Sequence, residues 1–195
     1  MILCSAPAAY CLSRFKFRGN GLIQKGIITA LGVPSIMLIM PLFAVVSSLN
    51  LSGSHFTLIF IYTATSIPYT TFFLITFFNG ISSTYEEAAA MDGCGPIKCF
   101  WQIIFPLAQP AVVTVTIFNF ITIWNEYFMA LIFANKSELR PVGVGLYQTV
   151  TSMMNTGDWS GMFASVVIVF IPTVVIYLFL SKRIVAGVTA GGVKG

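Results

Sequence analysis

The stretch EEAAAMDGCGPIKCFWQIIFP, residues 86–106, is a polar interruption in a chain that is otherwise largely apolar. It holds three of the chain's six acidic residues. Of the 195 residues, 57% are hydrophobic and 8% are charged, whereas a soluble domain carries roughly a quarter charged residues. The composition therefore predicts a membrane protein in which this stretch is a loop between apolar segments.

Apolar runs of about 20 residues, the length that a helix needs to cross the hydrocarbon core, occur four times, and Glu126 is the only charged residue in them. They cover residues 27–49, 56–79, 111–133 and 162–181. A fifth run, 1–13, is too short to cross alone and has its basic residues after it, the reverse of a signal peptide, so we interpret it as the end of a truncated span. The predicted fold class is an all-α polytopic membrane protein with four complete spans and a partial N-terminal span.

The basic residues of the short loops predict the orientation, because Lys and Arg are retained on the cytoplasmic side. Eight of the ten fall on one side if the segment after residue 13 is inside, and they are Arg14, Lys16, Arg18, Lys25, Lys98, Lys182, Arg183 and Lys194. Only Lys136 and Arg140 fall outside. We therefore expect a multi-pass protein of the cell (inner or plasma) membrane with a cytoplasmic C-terminus and a cytoplasmic loop at 80–110.

Prolines fall inside the predicted spans at Pro34, Pro41, Pro68 and Pro172. Each removes a backbone hydrogen bond that lipid cannot replace, so each is a candidate bend. Either packing or gating could be the reason for such a bend.

The loop itself is predicted to contain two short helices. Residues 86–91 favour helix until Gly93, Gly95 and Pro96 stop it, and residues 97–105 supply a second, more apolar helix closed by Pro106. Such a pair could dock in a groove of a cytoplasmic partner. Alternatively it could lie on the lipid headgroups with Trp101 as its anchor.

The spacing Glu87-Ala88-Ala89, three residues, Gly93, nine residues, Ile103, two residues, Pro106 resembles the EAA loop of ABC importer permeases. Phe105 stands where leucine is usual. Further segments resemble permeases of the carbohydrate-uptake branch, MalG type: AAYCLSRFKFRG at 8–19, WNEY at 124–127, GDW at 157–159 and TAGGVKG at 189–195. Such permeases usually have six spans, so the resemblance implies that this sequence begins inside the second.

The resemblance implies a single permease domain over residues 1–195, with the fold of a type I ABC importer transmembrane domain. In this family the EAA loop docks on an ATP-hydrolysing subunit. Carried over to this chain, the docking helix and its turn are Glu87, Ala88, Ala89, Asp92 and Gly93, while Ile103 and Pro106 fix the second helix. The Gly-rich tail from residue 187 would also contact the ATPase.

The resemblance also implies the partners. They are a second permease subunit in a heterodimer, an ABC ATPase dimer that binds ATP and Mg, an extracytoplasmic sugar-binding protein and the lipid bilayer. This chain itself is expected to bind no cofactor and no metal. Its scattered basic residues form no continuous basic face, so no nucleic-acid binding is predicted.

Four polar residues of the third complete span, Thr116, Asn119, Thr122 and Glu126, fall within about a third of the circumference of one helix. An ionisable group at membrane depth needs a polar environment. The stripe therefore marks a possible pathway or gate. In the alternative interpretation Glu126 reaches the outer headgroups, where Trp124 and Tyr127 fit an aromatic belt.

The sequence thus predicts a non-catalytic subunit that forms half of the pathway of an ATP-driven sugar or oligosaccharide importer. It holds no Gly-x-x-x-x-Gly-Lys-Ser/Thr phosphate loop, no Gly-x-Ser-x-Gly and no His-Glu-x-x-His. The alternatives are a permease for a non-sugar solute, or a truncated permease without transport activity of its own.

Overall fold

A computed structural model describes residues 1–134 and 136–192, with side chains described as far as residue 179. The predicted tail at 187–195 therefore lies partly outside the described residues, and none of its side chains is described. The helices are α1 (Ile2–Arg14), α2 (Asn20–Leu31), α3 (Ile39–Ser48), α4 (His55–Phe78), α5 (Thr84–Met91), α6 (Pro96–Leu107), α7 (Gln109–Trp124), α8 (Phe128–Phe133), α9 (Val142–Thr156) and α10 (Trp159–Gly192). Short 3₁₀ turns lie at Ser35–Leu38 and Ser137–Leu139.

The chain forms two compact units. The first contains residues 1–33 and 66–119, together with the described part of the C-terminal segment from residue 182. Its core packs α1 against the second half of α4, the loop helices and the start of α7. Ala6 and Ala9 of α1 are completely buried there, because small side chains let neighbouring helices approach closely.

The second unit contains residues 34–65 and 120–181. Its core packs Ile39 and Val46 of α3 against Leu58 and Ile61 of α4 and against Met129 of α8.

The predicted span 27–49 is not one straight helix. Helix α2 and the segment Ser35–Ser48 form a bent pair with a break at 32–34. Pro34 lies in the break with an extended ψ of 131°. The proline ring disfavours helical backbone at the residue before it, so the chain turns at 32–34 although its side chains stay apolar.

The predicted span 111–133 is also interrupted, since α7 ends at Trp124 and α8 begins only at Phe128. The predicted span 56–79 matches helix α4 to within one residue at each end, and the predicted span 162–181 lies within the longer helix α10. Within the described residues, two helices are long and apolar enough to cross a membrane, or up to four if each bent pair is one span. The second bent pair is α6 with α7, at 72°.

Candidate functional site

The loop between α4 and α7 contains the two helices that its sequence predicts, joined by a turn at Gly93. Helix α5 begins with Glu86 and Glu87 in its first turn, where carboxylates suit the positive end of the helix dipole. Gly93 has a φ of +74°. This left-handed conformation suits glycine, because a Cβ raises its energy.

The second loop helix, α6, does not end at Pro106 as predicted but continues to Leu107. Residues Phe100–Ile104 form a π-helical turn. After this turn Pro106 falls in the first turn of a new α-helical segment, where a missing N–H costs little. The proline is therefore accommodated in the last turn of α6, one residue before the helix ends.

One side of the loop faces the core of the first unit. Ala89, Cys99, Phe100 and Ile104 are buried, each at most 4% exposed. Burial raises the pKa of the Cys99 thiol, and the nearby Cys94 thiol and Glu86 carboxylate add to the increase. The predicted docking residue Ala89 is thus an internal contact of this chain.

The other side of the loop is exposed. It includes the predicted docking residues Glu87, Ala88, Asp92 and Gly93. The most exposed apolar side chains beside them are Met91, at 89%, and Ile97, at 79%. These exposed small, apolar and acidic residues of two successive helices (Glu87, Ala88, Met91, Asp92 and Ile97) are what we call the outer loop face. Of the other predicted loop residues, Ile103 is half-buried and Pro106 is exposed.

An ion pair that sequence reasoning did not find holds the loop to α1. The Nε of Arg14 lies 2.7 Å from Oε1 of Glu86. The Nη2 of the same guanidinium donates to the carbonyl of Ile81 at 2.6 Å. The two charges are 72 residues apart in sequence, so no local pattern connects them. The available signal was an arginine at the end of an apolar helix, followed later by a loop with paired glutamates.

The predicted polar stripe is not continuous, because α7 ends at Trp124 and Glu126 lies beyond it. Asn119 is buried and donates to Oγ1 of Thr70 at 3.0 Å. Thr116 and Thr122 are exposed on α7. The four residues therefore do not form one stripe. Asn119 makes an internal contact, Thr116 and Thr122 expose their hydroxyls, and the Glu126 carboxylate lies between α7 and α8.

Glu126 accepts three hydrogen bonds in the second unit. Its Oε2 accepts from the Tyr62 hydroxyl at 2.8 Å and from the Ala130 N–H at 3.0 Å. Its Oε1 accepts from the Met129 N–H at 2.7 Å. The carboxylate thus satisfies backbone donors at the start of α8, which would otherwise have no partner at the break. Tyr62 is a second residue that the sequence did not indicate.

A cavity of about 440 Å³ opens next to this break, within the second unit. Its lining includes the aromatic side chains of Trp124, Tyr127, Tyr147 and Phe170. The Tyr127 and Tyr147 rings lie 5.0 Å apart. Among residues 1–134 and 136–179, no group of three or more His, Cys, Asp or Glu side chains could hold a metal ion.

The sequence matches a family model over residues 1–189, the model of the binding-protein-dependent transport system inner membrane component. The chain belongs to this family. Its members are membrane components of transport systems, and a multi-pass membrane protein is what the helices of this chain also indicate.

Two curated relatives of this chain are permease proteins of named transport systems. The chain is 37% identical to the sulfoquinovosyl glycerol transport system permease protein SmoH of Agrobacterium fabrum, over 100% of this chain and 67% of that protein. It is 35% identical to the trehalose/maltose transport system permease protein MalG of Thermococcus litoralis, over 98% of this chain and 68% of that protein. The chain thus spans about two thirds of the length of these permeases.

A solved structure shares the fold. A chain from the crystal structure of a bacterial ABC transporter involved in the import of the acidic polysaccharide alginate superimposes with a TM-score of 0.82 at 25% identity, covering 93% of this chain and 68% of that chain. The predicted all-α fold of a type I ABC importer transmembrane domain is confirmed, and so is the resemblance to sugar permeases of the MalG type.

Proposed function

We propose that this chain is the permease subunit of an ATP-driven importer for a sugar or oligosaccharide and that its loop at 80–110 docks on a separate ATPase. The observation that carries the proposal is the outer loop face, in a chain whose family match covers residues 1–189. Met91 and Ile97 expose most of their apolar surface there. Large apolar side chains that stay exposed in an otherwise polar loop are a feature of interaction surfaces.

Sugar is the proposed substrate class because the curated relatives carry the names of sugar transport systems, one for trehalose and maltose and another for sulfoquinovosyl glycerol. The proposed partners are a second permease subunit, an ATPase dimer that binds ATP and Mg, and an extracytoplasmic sugar-binding protein. In this proposal the chain performs no chemistry and binds no cofactor, and its loop and C-terminus face the cytoplasm.

Within the pathway we propose different roles for the four polar residues. Thr116 and Thr122 are exposed on α7, so they remain candidates for contact with the solute. The side chains of Asn119 and Glu126 already form hydrogen bonds within the chain, so we propose that they fix the positions of the helices.

The experiment is a pull-down of the tagged full chain from membranes of its own host in mild detergent, with mass spectrometry of the proteins recovered. The test variant is Met91→Glu, and its matched control is Met154→Glu on α9, where methionine is also exposed, at 53%. We expect the parent chain and the control to recover an ATPase and a second permease. We expect Met91→Glu to recover the second permease and to lose most of the ATPase.

Recovery of neither partner by the parent chain would contradict the proposed function and favour a chain without transport of its own. Equal recovery of the ATPase by the parent chain and by Met91→Glu would remove the outer loop face as the docking surface. A separate measurement tests the substrate class: the affinity of the copurified binding protein for trehalose, maltose and a non-sugar solute.

A further inference from the structure

We propose that Tyr10 and Arg14 of α1 form a loop anchor, and that Arg14 and Glu86 are positioning residues that set the angle at which the loop meets the ATPase. This inference rests on the proposed function, because it assumes that the loop docks on an ATPase. It adds a component that the family match and the outer loop face do not contain, namely an internal attachment of the loop to the N-terminal helix.

The charged part of the anchor contacts the loop at two points. The Arg14 guanidinium bonds the Glu86 carboxylate at the start of α5 and the Ile81 carbonyl in the turn that leaves α4. A guanidinium is a rigid planar fork, so two bonds in different directions fix its orientation. The side chains of Arg14 and Glu86 are only 17% and 20% exposed, so water screens the pair weakly.

The apolar part of the anchor lies on the same face of α1, because residues four apart in a helix are neighbours. The Tyr10 ring centroid lies 4.9 Å from that of Phe100 in α6 and 5.9 Å from that of Phe78 at the end of α4. Tyr10 is 6% exposed. One helix face therefore contacts the end of α4 and both loop helices.

Two adjacent glutamates have different surroundings as a result. Glu86 bonds inward to Arg14. Glu87 is exposed on the outer loop face and accepts a hydrogen bond from the Ser83 hydroxyl at 3.0 Å. Successive residues of an α-helix point about 100° apart, so one short helix can present one carboxylate to a partner and the next to its own chain. A displacement of α5 by a partner is then carried to α1 through Glu86.

The test is a double-mutant cycle with Arg14→Gln, Glu86→Gln and the double variant, in the same pull-down. Each single variant leaves one charge without its partner, whereas the double variant leaves none. We expect each single variant to keep the second permease and to lose about fivefold or more of the ATPase, and the double variant to lose no more than either single one. The matched control is Arg18→Gln, since Arg18 is a nearby exposed arginine, and we expect it to behave as the parent chain.

A second readout needs no partner. In a chain whose only cysteine is Cys99, we expect Arg14→Gln to speed alkylation of the buried thiol about tenfold, because the loop opens away from α1. If Arg14→Gln also loses the second permease, the variant has lost its fold. Arg14→Lys is then tested in its place, and we expect it to lose an intermediate amount of the ATPase.

Additive losses in the cycle, or an unchanged alkylation rate of Cys99 in a folded variant, would overturn the loop anchor while leaving the proposed function in place. A parent chain that recovers no ATPase would overturn the proposed function, and this inference with it.

Discussion

Two glycines of the loop stand two positions apart and make different demands on the backbone. Gly93 has a φ of +74°, whereas Gly95 has a φ of −70°, which any residue adopts. A Cβ at either position would meet nothing within 4 Å. Substitution at these positions therefore tests backbone conformation without a steric clash.

We predict that Gly93→Ala destabilises the turn by about 1–2 kcal/mol, the cost of left-handed backbone for a residue with a Cβ. We expect less ATPase to copurify with this variant. Gly95→Ala is the matched control and should recover as much ATPase as the parent chain. Equal recovery by both variants would show that docking does not depend on the turn.

The sequence marks Glu126 as a possible pathway or gate residue, and its three hydrogen bonds favour a role in holding the break between α7 and α8. Hydrogen bonds to charged groups contribute about 1.5–3 kcal/mol each. We predict that Glu126→Gln lowers the free energy of unfolding by roughly 2–3 kcal/mol, because an amide offers only one oxygen to the Met129 and Ala130 N–H groups.

Thermal unfolding in detergent measures the effect of Glu126→Gln, with Tyr62→Phe as the companion variant that removes one donor only. A smaller loss of stability is expected for Tyr62→Phe. A Glu126→Gln variant with the stability of the parent chain and abolished transport would instead support the pathway role.

At the level of the element, hydropathy located the apolar segments but not their breaks. The side chains stay apolar through 32–34, and at the second break Asn125 and Glu126 are flanked by apolar residues, so a hydropathy average over a long window continues across both sites. The first break was signalled by Pro34, a candidate bend. The second break is stabilised by the hydrogen bond from Tyr62 to Glu126. These residues are 64 positions apart in sequence, so no local sequence pattern indicates the contact.

The inner side of α6 gives a prediction at the same level. Cys99 is buried and its pKa is raised, whereas Cys94 is half-buried in the turn. Only the thiolate reacts with a maleimide, so burial and a raised pKa both slow the reaction. We predict that a chain with Cys99 alone is alkylated at least about tenfold more slowly than one with Cys94 alone.

The rates are measured on inside-out vesicles at neutral pH. Full unfolding in denaturant is the control, and there both thiols should react alike. Equal rates in the folded protein would contradict the packing of α6 against α1 and α4.

At the level of the whole molecule, the distribution of Lys and Arg predicts the topology. We predict that in a chain without native cysteines a Ser137→Cys thiol is labelled by an impermeant maleimide in right-side-out vesicles. A chain with Cys94 alone should be labelled only in inside-out vesicles. The opposite pattern would place the loop outside and exclude its docking on a cytoplasmic ATPase.

The family, the helical fold and the positions of the loop helices could be predicted from this sequence because their signals are local: apolar length, a fixed spacing around Gly93 and turn-forming residues. The contacts that organise the site could not. Arg14 meets Glu86, and Asn119 meets Thr70, only because helices far apart in sequence pack together.

Helix α10 has a consequence for the cell. None of the residues in its apolar window, Trp159–Phe179, is buried within this chain, so lipid or another subunit must cover it. Few buried contacts lower the local stability of a segment, so without a covering subunit this helix is expected to open and to be cleaved more readily. We therefore expect the abundance of this protein in a membrane to follow the supply of its partner subunit, with surplus copies degraded soon after synthesis.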